Sequence, residues 1–212
     1  MTTRVVVFGR EPVPGQVKTR LAVTQGDERA AAAYAFLLDH TIDAAISSGF
    51  ETVLSLADPP SQRWAYGLRV PYQVQHGADL GSRMANAFAD HFADGAERVV
   101  VVGSDCPGVQ PRHLVAAAAA LADAAVVLGP ASDGGYWLVA QRRPGVDMFS
   151  EIRWSAPTTF AATRARLGAL KASWVELDEL RDIDTATDLM AALKDQTVPA
   201  RLRKRLRVIV TR

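Results

Sequence analysis

Apolar positions along the chain switch repeatedly between short unbroken runs and longer stretches with helical spacing. Residues 5–8 are β-branched or aromatic throughout, which predicts a strand buried on both faces. Gly9 and the Pro12-Val13-Pro14-Gly15 segment then predict a loop. Between residues 27 and 48, Tyr34, Leu37, Leu38, Ile42, Ala45 and Ile46 share one helical face, with Asp27 as a candidate N-cap and Gly49 as the stop. Residues 52–57 and 70–75 read as strands separated by the Pro59-Pro60 break, and 80–92 as a helix. Residues 99–103 form another apolar run, and 111–122 an alanine-rich helix with proline in its first turn. Residues 125–128 and 136–140 bracket a turn-rich segment and read as two strands whose mutual direction the pattern leaves open. Helix, strand and helix continue to about Ala192.

This alternation predicts a three-layer α/β/α fold, an open and mostly parallel twisted sheet with helices on both faces. Ligands of such sheets bind beyond the carboxyl ends of the strands. The chemically unusual residues fall there: Lys18 and Arg20 after the first strand, Asp79 after the third, Asp105 after the fourth and Asp133 after the fifth.

The chain has 212 residues, 49% hydrophobic and 22% charged, which suits one self-sufficient globular domain. The expected division is a domain over 1–195 and a basic tail over 196–212. A formal net charge of +1 directs the protein to no polyanion. The tail carries Arg201, Arg203, Lys204, Arg205, Arg207 and Arg212 without an acid. It lacks interleaved aromatic residues for base stacking, so a solvated tail is expected and nucleic acid is disfavoured. Cys106 is the only cysteine, so no intramolecular disulfide can form. With no apolar run of about 18 residues, a cytoplasmic protein without a membrane partner is expected.

Lys18 and Arg20 sit in a Gly/Pro-shaped loop and form a candidate anion site. A lysine supplies a point charge, an arginine a planar fork, and Gly15 permits close backbone approach. The loop matches neither the Walker nor the dinucleotide fingerprint, and its charges equally suit pairing with surface acids. Asp105 follows a buried strand, a position suited to Mg2+ or Mn2+, which needs further carboxylate oxygen. Asp182 and Asp184 could supply it, or could cap the helix that follows. Gln75 and the Gly77-Ala78-Asp79-Leu80-Gly81 turn could read a base or phosphate, with Asp79 equally a cap. Asp133, Gly134, Gly135, Tyr136 and Trp137 suit a sugar or small acceptor, or a tight turn over core aromatics. Cys106 reads as a buried strand-end residue. The four histidines show no metal-type spacing.

Taken in order, residues 12–21, 77–84, 103–107, 128–137, 152–155 and 182–185 resemble the motifs of a small GT-A-type transferase family. Its members are described as arsenosugar-biosynthesis glycosyltransferases or radical-SAM/selenodomain-associated transferases. The likeness runs from about Thr3 to Leu193. The Lys18-Thr19-Arg20-Leu21 and Asp182-Ile183-Asp184-Thr185 segments are also similar to those of 2-phospholactate guanylyltransferase and, more remotely, molybdenum-cofactor guanylyltransferase. The resemblance implies a nucleotide-diphospho-sugar transferase fold, with Asp105 and Asp184 on the metal and Lys18 and Arg20 on donor phosphates. It also implies that Gln75, Asp79 and Gly81 line the nucleotide pocket and residues 133–137 the acceptor side, where Asp133 is the candidate base. Where many such transferases carry a fuller Asp-x-Asp, this chain has Ser104 and Cys106 around Asp105. The expected partners are a nucleotide sugar, or a nucleoside triphosphate in a nucleotidyl-transfer alternative, and a small-molecule acceptor. A non-catalytic nucleotide-binding role is the third reading, and a homodimer is compatible with all three.

Overall fold

Val5, Val6 and Val7 are all completely buried, which makes β1 (Thr3–Gly9) a central strand. It pairs in parallel with β2 (Glu51–Leu56) on one side and β4 (Arg98–Gly103) on the other. The short β3 (Tyr72–Val74) extends the sheet beyond β2. Beyond β4 come β6 (Tyr136–Arg142), β5 (Val126–Pro130) and β7 (Trp174–Glu176), giving the order β3-β2-β1-β4-β6-β5-β7. β6 runs antiparallel to both neighbours while β5 and β7 are parallel to each other, which settles the direction that the sequence left open. The computed structural model describes residues 1–154 and 156–210. Ser155 of the fifth motif, together with Thr211 and Arg212 of the expected tail, lies outside them.

Alternate residues of β1 enter different cores, as a pleat requires. Val5 and Val7 pack with Leu38 and Ile42 of α2 (Asp27–Ser47) and Leu114 of α5 (Pro111–Ala120). Val6 packs with Met84 and Phe88 of α4 (Leu80–Ala93) and Leu167 of α6 (Thr159–Ala169). The result is the expected three-layer α/β/α domain with a mostly parallel seven-stranded sheet.

The structure departs from the sequence expectation in four places. The N-cap of α2 is Gly26, whose φ of 81° favours glycine; Asp27 is instead the first helical residue, where its charge complements the helix dipole. Two short helices, α1 (Thr19–Gln25) and α3 (Gln62–Ala65), occupy stretches read as loop. β3 is three residues long, half the expected run. The basic end of the chain is not a solvated tail. Residues 200–207 form a helix, α8 (Ala200–Arg207), that follows α7 (Ala186–Lys194). Leu202, Leu206 and Ile209 are buried with Leu37 of α2 and Leu189 of α7. Arg205 reaches Asp39 at 3.0 Å and lies over the Phe36 ring. Among the described residues no helix is long and apolar enough to cross a membrane.

Candidate functional site

Because β6 is antiparallel, its first residues lie at the same sheet edge as the ends of β1 and β4, with Val102 opposite Leu138. A cleft of about 700 Å3 opens there, lined among others by Gly9, Lys18, Gln75, Asp79, Asp105 and Asp184. A second cleft of about 500 Å3 adjoins it and is lined by Asp133, Gly135, Trp154 and Asp182. Arg20, Leu80, Asp105, Tyr136, Trp137 and Asp184 border both and form the shared wall.

Lys18 caps α1 in the left-handed conformation, with φ 48° and ψ 43°. Leu21, fully buried three residues on, anchors that short helix. Lys18 Nζ donates to Asp105 Oδ2 at 3.0 Å and to Asp184 Oδ1 at 2.7 Å, with its side chain only 7% exposed. Burial pulls its pKa down, but the two carboxylates outweigh burial and hold the ammonium above its ordinary value. Arg20 Nη1 donates to Asp184 Oδ2 at 3.3 Å from a mostly exposed position. The Lys18-Arg20 pair therefore does meet acids, and those acids are the candidate metal ligands themselves. Gly15 lines neither cleft. Its φ of 78° serves the turn before Lys18, which corrects the expectation that it would let a ligand approach the backbone.

The acid segments are joined through the backbone: Ile183, fully buried, donates its N–H to the Asp105 carbonyl at 3.1 Å. Capping of α7 falls to Thr185, whose hydroxyl accepts from Asp188 N–H, while the Asp188 carboxylate accepts from Thr185 N–H. Asp182 and Asp184 face the clefts. Oxygens of Asp105, Asp182 and Asp184 lie within 4.8 Å of one another, forming the one such group of metal-capable side chains among the described residues. This donor set fits a hard divalent cation.

Burial, then the proximity of Asp105, Asp184 and Asp133, pushes Asp182 from 3.8 up to about 6. Between those two values the folded chain retains a proton that the unfolded chain has released, so this contribution to stability declines as pH rises toward 6. Urea midpoints at pH 5 and pH 7.5 without metal should fall for the wild type relative to Asp182→Asn. An identical pH response in the two proteins would show that Asp182 feels no such repulsion.

On the larger cleft, the Asp79 carboxylate accepts the Ser82 N–H at 2.7 Å and caps α4. Asp79 is thus both a cleft residue and a cap. Gln75 Nε2 donates to the Ser55 carbonyl at 2.8 Å, which fixes its side chain at the cleft. At the floor, Tyr34 exchanges a 2.8 Å hydrogen bond with Ser104 and accepts from Arg10 N–H. The aromatic ring of Tyr136 borders both clefts, and burial pushes its phenol well up.

Two expected pocket glycines do something else. A Cβ on Gly81 would lie 2.1 Å from Trp154 Nε1, so Gly81 is where the indole seats on α4 rather than a lining residue. A Cβ on Gly134, at φ 88°, would lie 2.0 Å from the Pro157 carbonyl oxygen, so Gly134 seats the 156–159 segment. Gly135 does line the second cleft, and its N–H donates to Asp133 Oδ1 at 2.9 Å. Alanine normally favours a helix interior over glycine by about 1 kcal/mol. Gly81→Ala should nevertheless lower the thermal midpoint and change Trp154 fluorescence; an unchanged emission spectrum with a raised midpoint would contradict this packing.

The sequence pattern does not mark Trp154 or Tyr34 as site residues. Trp154 lies within a quoted motif, but nothing in its spacing indicates that it meets Tyr136 edge-on, with centroids 6.3 Å apart. Cys106 is buried and burial pushes its thiol well up, which fits a packed strand-end residue rather than a nucleophile.

The fold is that of nucleotide-diphospho-sugar transferases. A crystal structure of a protein from Desulfovibrio desulfuricans G20, provisionally assigned as a nucleotide-diphospho-sugar transferase, superposes with a TM-score of 0.91 at 26% identity, covering 98% of this chain and 95% of that one. CMP:2-keto-3-deoxy-manno-octonic acid synthetase in complex with CTP gives 0.58 at 13% identity, over 90% and 96%. The manganese complex of Rv0371c from Mycobacterium tuberculosis H37Rv gives 0.55 at 16%, over 90% and 97%. At those lower identities the likeness is one of fold. No curated protein sequence matches the chain. A family profile does match residues 15–156, well over half the chain. The protein thus belongs to the family described as "Uncharacterized protein conserved in bacteria (DUF2064)".

Proposed function

We propose that this protein transfers a glycosyl group from a nucleotide diphosphate sugar to a small hydroxylated acceptor, with Mg2+ or Mn2+ as cofactor. The observation that carries this reading is the three-acid group where two clefts adjoin, Asp105 and Asp184 bordering both and Asp182 the smaller, with Lys18 and Arg20 beside it. A donor in the larger cleft and an acceptor in the smaller would meet at the shared wall.

Lys18 and Arg20 hold the diphosphate, one as a point charge and one as a fork. Asp105 and Asp184 would hold the cation, with Asp182 alongside. The cation's chemistry is to offset charge on the departing diphosphate. Gln75 and Asp79 border the nucleotide. Asp133, steadied by Gly135 N–H, takes the proton of the acceptor hydroxyl as its oxygen bonds to the anomeric carbon and the bond to diphosphate breaks. Free nucleoside diphosphate is the product. This reading keeps the chain with the arsenosugar-biosynthesis and radical-SAM/selenodomain-associated transferases that its motifs resemble.

Product analysis tests it. Incubation with nucleotide sugars and metal should release nucleoside diphosphate without pyrophosphate. Pyrophosphate released from a nucleoside triphosphate would replace this reading with nucleotidyl transfer.

A further inference from the structure

We infer that the acceptor is an uncharged or cationic hydroxyl compound with an apolar face, and that the second cleft rejects phosphate monoesters. The inference rests on the glycosyl-transfer reading and narrows it. Four carboxylates line this cleft, those of Asp105, Asp133, Asp182 and Asp184, and Arg20 is the single cation among its described lining residues. Arg20 is already directed at Asp184. When a donor is bound, the diphosphate engages Lys18 and Arg20, and its own negative charge offsets that of a divalent cation. Asp133, which stands outside the three-acid group, then remains as uncompensated negative charge on the acceptor side, with the acids that flank the cation next to it. A phosphate monoester brought among them meets like-charge repulsion in a confined space, which works against binding.

Aromatic residues of the same cleft supply the attraction. Tyr136, Trp137 and Trp154 all contribute to its lining. Trp154 is held between Gly81 beneath it and the rings of Tyr136 and Phe149, at centroid distances of 6.3 and 6.1 Å. An indole fixed in this way offers its surface to the C–H face of a sugar or polyol, and attracts an ammonium group more strongly. A cleft lined by carboxylates and aromatic rings selects hydroxyl and amine groups, which donate hydrogen bonds, over phosphate oxygens, which accept them. Transfer of a nucleotide onto a phosphorylated small molecule calls for the reverse lining.

Three probes on one skeleton isolate charge: glucosamine, glucose and glucose 6-phosphate. The full chain, with 15N-labelled tryptophan, is first saturated with magnesium and pyrophosphate so that Lys18 and Arg20 are occupied. The indole N–H signal of Trp154, identified by its loss in Trp154→Phe, is then followed during titration. Glucosamine and glucose should shift it at concentrations at least tenfold below that needed for glucose 6-phosphate. Asp133→Lys should shrink or reverse that gap. Equal or tighter binding of glucose 6-phosphate overturns the inference, as does failure of all three probes to move the Trp154 signal. The donor reading is examined separately, by the thermal shift that magnesium pyrophosphate produces in wild type but not in Asp105→Asn. If that shift is absent, the donor site is wrong, whereas repeating the titration without pyrophosphate still tests the acceptor cleft.

Discussion

In the Asp105→Asn protein, turnover is expected to fall by at least about 100-fold, the scale seen when one well-placed electrostatic group is removed from an active site. The substitution retains the side chain's size and leaves the Asp105 carbonyl, which accepts from Ile183 N–H, in place. What it removes is one carboxylate charge from the three-acid group and from the ion pair with Lys18 Nζ, while the amide oxygen can still accept from that ammonium. The variant should therefore fold and lose its response to metal. A nucleotide or nucleotide sugar at about 100 times its dissociation constant adds about 2.7 kcal/mol, which at roughly 2–4 °C per kcal/mol for a domain of this size raises the wild-type midpoint by about 5–10 °C. That rise should require Mg2+ or Mn2+ and should be missing in Asp105→Asn. If the variant turns over nucleotide sugar at the wild-type rate, Asp105 has no place in the chemistry. Loss of the metal-dependent rise from a protein that never turned over any donor would favour a non-catalytic nucleotide-binding role.

Lys18→Met should be the most destabilising single change in the site. The ammonium is buried, but the Asp105 and Asp184 carboxylates it joins are 38% and 36% exposed, so the like charges left by its removal are partly screened and the cost is about 1–3 kcal/mol, below that of a fully buried pair. Methionine fills a similar volume, so the loss isolates charge from packing. Because what remains is a group of carboxylates, Mn2+ should recover part of the lost stability, and so should lowering the pH. Chemical denaturation of both proteins at pH 5 and pH 7.5, with and without Mn2+, measures this. A variant as stable as wild type at neutral pH without metal would mean that the cluster is far better solvated than its burial indicates.

The fold was largely legible in the sequence because its central strands are so apolar. Residues 5–7 and 99–102 bury every side chain, and their β-branched runs have few other interpretations. The reversal of β6 was not legible, since an apolar run looks the same in either direction. The helix α1 carries no helical pattern in the sequence because Leu21 is the only buried residue in its seven. At the basic end, Leu202, Leu206 and Ile209 carry a helical spacing, but the surrounding cations drew the reading toward solvent. In the site, Lys18, Arg20 and Asp105 are legible as charges following strands and Asp184 only as an acid before a helix, and the structure brings all four together. Asp182 stayed ambiguous until Thr185 and Asp188 proved to carry the helix cap. The glycines were the least legible. Gly15, Gly81 and Gly134 each meet a spatial or backbone demand, but sequence alone does not distinguish room for a ligand from room for a tryptophan ring or a carbonyl oxygen.

The Lys18–Asp184 contact spans 166 positions of the chain. During synthesis, β1, β2 and β4 can pair once the chain is available through residue 105, giving a sheet whose edge presents Lys18 and Asp105. The other two acids arrive only when residues 182–184 emerge from the ribosome and Ile183 docks beneath Asp105. A nascent chain is therefore without the three-carboxylate group for most of its synthesis, and Lys18 lacks its second carboxylate partner, Asp184, until then.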